Sequence, residues 1–554
     1  MPDNKAYSLQ RRRFLSVGVK SILTIPLLSR YVYAADAPVV ETSNGKVRGF
    51  RNDDVFTFRG VRYGAPTGGA NRFLPPRAPA PWTGVHDATE YGYSAPQTNP
   101  GSTSSSASPL AAILDASNGF RPNPAESEDC LFLNVWTRSL SRSAKRPVMV
   151  WLHGGGYSSG SASILLYDGT HIASRSDAVV VGVNHRLNVF GYTHFAGIGG
   201  KQYADSGNAG MLDIIHALRW VQQNIENFGG DPKRVMIFGE SGGGGKVSFL
   251  LGSPPAQGLF QRAVIESGPG ITMGDPDAAT EVAGMLLAEL GLDAARFSEI
   301  QNLPTSRILS AYFNLQRKLP RGAPGSNRAF GPVITSDVLP QHPFEPAASP
   351  YSADVPVIVG CNRTEATAFS IADQALFNLD ENGLRSRIAA MFGNDSEMIL
   401  NAYSKPGATP SDTYFLIATD QLMGYNTRLL AERKSLLNRA PAYLYRFDWQ
   451  TPVMDGKLRS PHGLEMPFVF DNVDEAGIGL TGGGALARRL AGKVRSAWVA
   501  FAETGKPDTE GLPHWPPYNT GTRMTMVFND DSRVVSDPDA DERKAMASHM
   551  QKSA

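Results

Sequence analysis

Short, nearly continuous runs of apolar residues recur along the chain and predict buried strands. Six of them, rich in Val and Ile, lie at 148–152, 179–183, 235–238, 263–265, 357–359 and 443–445. Because such runs have no polar face, they are typical of strands that are covered on both sides, as in a parallel sheet.

Helical patterns lie between several of these runs. Residues 211–225 place Leu212, Ile215, Leu218 and Val221 three or four positions apart, which predicts an amphipathic helix. Strands that alternate with helices are typical of α/β domains. We therefore expect an α/β fold with a large central, mostly parallel sheet and helices on both faces.

The remaining patterns predict how the chain is divided. Residues 39–62 resemble an N-terminal antiparallel meander, with Asn44-Gly45 supplying the positive φ of one tight turn and residues 52–54 forming a second. No repeat or linker divides the rest, and 275–355 is typical of inserted helices and loops. Residues 101–109 are almost entirely Ser, Thr, Ala and Gly, which indicates a surface loop or flexible flap. We expect residues 35–554 to form one domain with helical insertions.

The first 34 residues have the features of an export signal. Arg11 and Arg12 are followed by Arg13-Phe14-Leu15, a mildly apolar run and the small residues around Ala34. The arginine pair resembles a bacterial twin-arginine signal, and an ordinary secretory signal is the alternative. Either predicts a periplasmic or secreted protein. Removing residues 1–34 removes six basic residues and one acidic residue, which changes the net charge from +1 to −4.

Composition excludes several classes of protein. Lys and Arg number 53 against 52 for Asp and Glu, so no nucleic-acid partner is indicated. The longest uncharged stretch of the signal is too short to span a bilayer, so no stable membrane insertion is expected. Two cysteines cannot form a disulfide scaffold or a four-thiolate zinc site. A core-stabilised globular protein that carries out its chemistry on other side chains remains.

The pattern Gly-x-Ser-x-Gly occurs twice, around Ser158 and around Ser241. Ser241 directly follows the predicted strand 235–238 and precedes a Gly-rich helix start, whereas Ser158 lacks both flanks. A serine on a sharp strand-to-helix turn holds its hydroxyl clear of the sheet and places developing negative charge at a helix N-terminus. Ser241 is therefore the candidate nucleophile for acyl transfer.

A glycine-rich loop supplies candidate oxyanion donors. His153 is followed by three glycines directly after the strand 148–152, and glycine lets backbone N–H groups approach a ligand closely. A plain glycine-rich turn is the alternative interpretation. We expect the N–H groups of Gly155, Gly156 and Gly242 to form an oxyanion hole.

With its serine turn and glycine-rich loop, the chain resembles the type-B carboxylesterase/lipase family, the cholinesterase-like branch of the α/β-hydrolases. The resemblance covers nearly all of the chain after the signal and comprises an ordered set of segments. These are residues 58–66, 128–135, the His153 loop, 184–187, 207–210, 227–232, the Ser241 turn, 266–268 and 515–516.

In α/β-hydrolases the nucleophile, acid and base follow one another in that chain order. Ten histidines compete for the base, but only His342, His462, His514 and His549 follow Ser241. His549 lies in a polar tail, His514 in a predicted surface segment, and His342 has no strand before it. His462 follows the strand 443–447 in a segment similar to the family's catalytic histidine segment, so it is the predicted general base.

The acid is expected between Ser241 and His462, after a strand. Glu365 follows the strand 357–359 through a turn similar to the family's Gly-x-Asn-x-x-Glu motif, whereas Asp354 precedes that strand. Glu365 is therefore predicted to orient His462. Glu240 is predicted to be a structural carboxylate near Ser267, with attraction of cationic groups as the alternative.

The resemblance implies a serine carboxylesterase, a carboxylic ester hydrolase that acts on small-molecule esters through an acyl-enzyme on Ser241, without metal or organic cofactor. The rival from another class is a non-catalytic, cholinesterase-like binding protein. A specialised lipase, amidase or xenobiotic ester hydrolase is the alternative among enzymes. The family resemblance also implies a disulfide at Cys130, but its partner position is Ala95 here, so we expect that bridge to be absent and Cys361 to be a second free thiol.

Overall fold

The computed structural model describes residues 37–100, 124–319 and 330–553. The signal segment 1–34 and the Ser-rich stretch 101–109 lie outside these ranges, so their predictions stay predictions. The strands are β1 (Val39–Thr42), β2 (Gly45–Arg48), β3 (Phe50–Asn52), β4 (Val55–Arg62), β5 (Val85–Asp87), β6 (Phe132–Thr137), β7 (Arg146–Leu152), β8 (Val179–Val183), β9 (Gly230–Glu240), β10 (Arg262–Glu266), β11 (Val357–Asn362), β12 (Ala442–Phe447), β13 (Met524–Phe528) and β14 (Arg533–Ser536).

Eleven strands form one large sheet in the order β14-β13-β12-β11-β10-β9-β7-β8-β6-β4-β3. The consecutive strands from β13 to β8 in this order are all parallel to one another. The edge strands β14, β6, β4 and β3 each pair in the antiparallel sense. The prediction of a large, mostly parallel sheet is confirmed.

The central strands are buried on both faces, which explains their unbroken apolar runs. In β7, Val148 and Val150 contribute to the core on one side of the sheet, while Met149 and Trp151 contribute to the core on the other. All four side chains are inaccessible to solvent. A polar residue at any of these positions would face a helix layer instead of water.

Helices cover both faces of the sheet. Ala209–Asn224, predicted as 211–225, and Gly242–Leu251 pack on one core, and Ala485–Thr504 packs on the other. None of the helices in the described ranges is both long and apolar enough to cross a bilayer. The other α-helices are Thr170–Ser176, Asn188–Tyr192, Ala196–Gly199, Pro276–Glu289, Thr305–Lys318, Ala366–Ser370, Glu381–Phe392, Ser396–Tyr403, Pro410–Thr419, Tyr425–Ser435, Met466–Val469, Ile478–Thr481 and Ala540–Ser553.

The N-terminal strands differ from a simple meander. β1 and β2 form a hairpin that joins β5 in a separate three-stranded sheet, whereas β3 and β4 form a second hairpin at the edge of the large sheet. Gly45 has the positive φ expected of its turn, and Asp53 has it in the second turn. The alternation of polar and apolar residues predicts both hairpins but cannot show which sheet each one joins.

Both cysteines are buried and unpaired. Ala95, the position at which the family resemblance places the partner of Cys130, is also buried. Cys361 lies near the end of β11, four residues before Glu365. The described residues therefore contain two free thiols.

The strand register brings five chain segments to one edge of the sheet. Leu152 at the end of β7 pairs with Gly239 of β9, while Glu266 at the end of β10 pairs with Gly360, which in turn pairs with Tyr445. The loops that leave the carboxyl ends of β7, β9, β10, β11 and β12 therefore emerge side by side. This is the edge at which parallel sheets of open α/β folds bind ligands.

Candidate active site

Ser241 lies on a strained turn between β9 and the helix Gly242–Leu251. Its φ of 57° and ψ of −120° place a non-glycine residue in a region that such residues seldom adopt. The turn is held by its N–H, which donates to the Glu266 carbonyl at 2.9 Å, and by its carbonyl, which accepts from Gly245 at 3.1 Å. This geometry matches the strand, turn and helix predicted around Ser241.

Backbone packs directly against backbone around this turn. A Cβ on Gly243 would lie 2.0 Å from the Leu152 carbonyl oxygen, and a Cβ on Gly268 would lie 1.8 Å from the Ser241 carbonyl oxygen. Neither position has room for any side chain. The loops after β7 and β10 therefore fix the turn from both sides.

The second Gly-x-Ser-x-Gly has a different setting. Ser158 lies on an exposed loop after β7, and its hydroxyl hydrogen-bonds the Gly155 carbonyl at 3.3 Å and the Tyr312 side chain. No strand leads directly into it. The structure places Ser158 outside any strand-to-helix turn, as the sequence predicted.

His462 and Glu365 meet although 97 positions separate them in the chain. His462 Nδ1 lies 2.6 Å from Glu365 Oε2, and both side chains are buried. Because a carboxylate accepts, Nδ1 carries the proton, which leaves Nε2 as the nitrogen that can take one. Glu365 is fixed in turn by the Asn362 N–H, which donates to its Oε1 at 2.6 Å.

The other candidate histidines lie elsewhere. His514 is exposed beside Asp508, and His549 pairs with Asp395. His342 accepts a hydrogen bond from the Met273 N–H at 3.2 Å. None of these three contacts Glu365 in the described part of the chain.

Glu240 lies against the base, and the prediction that it hydrogen-bonds near Ser267 is wrong. Its Oε1 is 3.2 Å from His462 Nε2, and no hydrogen bond joins Ser241 Oγ to His462 within the described residues. Glu240 thus faces the imidazole nitrogen that takes the proton, and the two groups form an ion pair when that nitrogen is protonated. Burial lowers the pKa of His462, but the carboxylates of Glu240 and Glu365 outweigh it and raise that pKa above its ordinary value.

A second carboxyl group, Glu465, was missed by the sequence analysis. Ser267 Oγ lies 2.6 Å from Glu365 Oε1 and 2.5 Å from Glu465 Oε1. A hydroxyl has one proton, so both contacts are hydrogen bonds only if one carboxyl group donates. Burial and the charge of Glu365 raise the pKa of Glu465, which favours the protonated form of this carboxyl group. Its position three residues after His462 was the available signal.

The glycine loop after β7 lies beside the serine turn. Gly155 and Gly156 have φ of 84° and 63°, and within the described ranges their N–H groups make no hydrogen bond. The N–H of Gly242 is in the first turn of its helix, where no helical acceptor exists. A Cβ on Gly242 would lie 2.1 Å from the Gly156 carbonyl oxygen, so the three predicted donors are neighbours.

A cavity of about 240 Å³ opens onto Ser241. Its described lining contains no charged side chain, and Met273, Leu422 and Met423 make part of it apolar. This composition suits an uncharged ligand. The other lining residues are Tyr157, Gly242, Gly245, Ser267, Gly268, Pro269, Gly270, Thr272, Gly331, Pro332 and Asn426.

A family model and individual known proteins were both found to be similar to this chain, and they point to the same family. A model of the carboxylesterase family matches residues 36–547. The para-nitrobenzyl esterase of Bacillus subtilis (strain 168) is 33% identical over 515 residues, which cover 92% of this chain and 98% of that protein. The phenmedipham hydrolase of Pseudarthrobacter oxydans is 32% identical over 90% of this chain and 96% of its own.

Solved structures that are similar to this chain point to the same family. The carboxylesterase EST55 of Geobacillus stearothermophilus superposes with a TM-score of 0.77 at 34% identity, covering 92% of this chain and 99% of that one. The fold is therefore the α/β-hydrolase fold, as predicted.

The close packing at Gly268 leads to a first prediction. Gly268→Ala should push the Ser241 turn out of place and lower kcat/KM at least about 100-fold, because small displacements of reacting groups are costly. Gly284→Ala is the matched control, since its Cβ would meet nothing within 4 Å. That helical substitution should stabilise the protein by about 0.5–1 kcal/mol. Full activity in Gly268→Ala would contradict the packing described.

The contact between Glu240 and His462 leads to a second prediction. Glu240→Gln removes one of the carboxylates that raise the His462 pKa, so the acid limb of kcat/KM should move to lower pH, on the order of one unit. Glu475→Gln is the control, because that exposed carboxylate lies 3.5 Å from His171. An acid limb that stays in place or moves to higher pH in Glu240→Gln would show that Glu240 does not act on the base.

Proposed function

The chain belongs to the carboxylesterase family and is a serine carboxylic ester hydrolase, and we propose that Ser241 is its nucleophile, His462 its general base and Glu365 the orienting acid. The observation that carries this proposal is the strained Ser241 turn on the cavity wall. It directly follows Glu240, whose carboxylate lies 3.2 Å from the buried imidazole that is 2.6 Å from Glu365. Orienting a histidine through Nδ1 is what a Ser-His-acid triad requires.

In the first half of the reaction, Ser241 Oγ attacks the ester carbonyl carbon while His462 Nε2 takes the hydroxyl proton. The carbonyl oxygen becomes an oxyanion, which the N–H groups of Gly155, Gly156 and Gly242 stabilise. His462 then gives its proton to the alkoxide leaving group, which departs as the alcohol and leaves an acyl group on Ser241.

In the second half, His462 takes a proton from water, and the hydroxide attacks the acyl carbonyl. Collapse of the second oxyanion breaks the bond to Ser241, whose oxygen recovers the proton from His462, and the acid leaves. The hydrogen bond from Ser241 to Nε2 forms in this scheme with substrate, since such bonds are often long or misaligned without it. For Nε2 to accept the Ser241 proton, the His462 ring has to turn from the Glu240 carboxylate toward Ser241 Oγ.

The uncharged cavity supports small, uncharged esters as the substrate class. Its volume of about 240 Å³ suits acyl or alcohol groups of modest size. A lipase, an amidase and a hydrolase of xenobiotic esters share this chemistry, because fold and triad do not fix the substrate. The non-catalytic alternative is not favoured, since all three triad residues are present, with Ser241 on the strained turn and His462 Nδ1 2.6 Å from Glu365.

Loss of the serine hydroxyl tests this assignment. Ser241→Ala should lower turnover of p-nitrophenyl esters on the order of 10⁶-fold, because the covalent route is then closed. A series of acyl chain lengths, with a p-nitroanilide and an emulsified ester alongside, separates esterase, amidase and lipase by rate.

Ser158→Ala is the matched control for the other Gly-x-Ser-x-Gly. It keeps the backbone N–H and removes a hydroxyl that contacts the Gly155 carbonyl at 3.3 Å and the Tyr312 side chain, so most of the turnover should remain. The reverse result, with activity lost in Ser158→Ala and kept in Ser241→Ala, would overturn the assignment.

We also propose that residues 1–34 form a signal that directs the enzyme to the periplasm or the medium of a bacterium, and that residues 35–554 form the catalytic domain. The arginine pair at 11 and 12, the apolar run after it and the small residues near Ala34 support this.

Conservative changes in the arginine pair distinguish the two routes. Replacing Arg11 and Arg12 by Lys should stop export of the full chain, because twin-arginine recognition depends on the pair and not on its charge. Cell fractionation with a Lys5→Arg control measures it. Unchanged export of the double variant would point to the general secretory route, and retention of the unmodified chain in the cytoplasm would refute a signal.

A further inference from the structure

Lys246 is a buried lysine that the reaction scheme does not use. It lies on the second turn of the helix Gly242–Leu251, and its side chain is inaccessible to solvent. Within the described ranges it forms no salt bridge. Burying an ammonium group is costly unless its protons find acceptors, so its contacts need an explanation.

Two backbone carbonyls accept from this amine. Lys246 Nζ donates to the carbonyl of His153 and to the carbonyl of Gly156, each at 2.9 Å. The ammonium also lies 5.5 Å from the centre of the Tyr157 ring. Both carbonyls belong to the glycine loop that carries the predicted oxyanion donors.

The two carbonyls bracket those donors. A peptide unit is planar, so holding the carbonyl of one residue fixes the direction of the N–H of the next. The Gly154 carbonyl accepts from His153 Nδ1 at 2.9 Å, and the Gly155 carbonyl accepts from the N–H of Ser159 at 3.1 Å. Lys246 holds the peptide planes on either side of these two.

The hydrogen bonds within the loop hold the two peptide planes that carry the donors, but the segment on either side of them still needs to be fixed. Gly155 and Gly156 have positive φ and no side chains, so they can change conformation at little steric cost. His153 can donate to the Gly154 carbonyl only while Nδ1 carries a proton. Burial, together with the Lys246 charge, lowers the pKa of His153 to about 3. Burial also lowers the pKa of the Lys246 amine, to about 7, and the amine has at least two N–H groups to donate in either protonation state.

We propose that Lys246 is a positioning residue of the oxyanion hole, whose amine anchors the carbonyls of His153 and Gly156 at the two ends of the segment that carries the Gly155 and Gly156 N–H groups, and so keeps that segment in place against the substrate oxygen. This inference rests on the proposed function. It assigns to Lys246 a role in the transition state, where the oxygen carries charge, and little role in binding the uncharged ester.

Lys434 supplies a matched control elsewhere in the fold. It is also buried, and its Nζ donates to the carbonyls of Ala353 and Ala440, each at 3.1 Å. These contacts lie before the amino ends of β11 and β12, at the opposite edge of the sheet from Ser241. Removing Lys434 therefore reports the loss of a buried, carbonyl-bound lysine without touching the site.

The test compares Lys246→Met, Lys246→Gln and Lys434→Met on an ester and on its thionoester, in which sulfur replaces the carbonyl oxygen. Sulfur accepts hydrogen bonds weakly. The ratio of kcat on the ester to kcat on the thionoester therefore measures how much the oxyanion hole stabilises the transition state. Lys246→Met should lower kcat on the ester on the order of 10²–10³-fold with little change in KM, and should reduce the preference over the thionoester. Lys246→Gln, which keeps an amide donor, should recover part of the loss.

Lys434→Met should lower the melting temperature and keep both kcat and the ester preference. Equal losses on ester and thionoester in Lys246→Met, or a kcat close to that of the unmodified enzyme, would overturn the inference. Lys246→Gln gives the same comparison where the Met variant does not fold. Turnover that depends on Ser241 but not on Lys246 refutes only this inference, whereas turnover that survives Ser241→Ala refutes the proposed function and the inference with it.

Discussion

Direct contact between backbones at the end of the central strands is the constraint on which the site depends. The turn at Ser241 lies so close to the Leu152 carbonyl and to Gly268 that no side chain fits between them. This contact is possible because β7, β9 and β10 are adjacent and parallel, with their carboxyl ends at one level. The strain at Ser241 is maintained by the sheet and not by the turn itself.

The same register explains where the other groups come from. The loop after β7 supplies the oxyanion donors, the loop after β10 supplies Ser267, and the loops after β11 and β12 supply Glu365 and His462. Ser241, Ser267 and Glu365 lie within three residues of a buried strand end, whereas His462 lies on a longer loop after β12. Groups that are far apart in the chain are therefore held on rigid elements, which is how small distances such as the 2.6 Å between His462 and Glu365 are maintained.

Several buried carboxyl groups surround the imidazole of His462 at this edge of the sheet. Glu240, Glu365 and Glu465 are all buried around one imidazole. Three carboxylates could not be ionised together at this spacing without a large electrostatic cost. The raised pKa of Glu465, which favours its uncharged form, and the imidazole between Glu240 and Glu365 both reduce that cost.

The sequence analysis predicted the sheet, the helices on both faces and the positions from which the site residues come, because buried strands and the turns after them leave local patterns. It missed Glu465 and Lys246 and misplaced Glu240, since their contacts depend on packing between segments distant in the chain. Ser267, for example, meets Glu465 across 198 positions. Local pattern also failed to assign the two N-terminal hairpins to different sheets, because pairing partners are set by the whole fold.

The central claim is that a single serine, Ser241, carries the acyl group. Treating the enzyme with a p-nitrophenyl phosphonate and mapping the adduct by peptide mass spectrometry tests it directly, because the phosphorus is attacked as the ester carbonyl would be and the product stays bound. The account predicts one adduct per chain, on the peptide that contains Ser241, with esterase activity lost in proportion. An adduct on another residue, or full activity after complete labelling of Ser241, would contradict it.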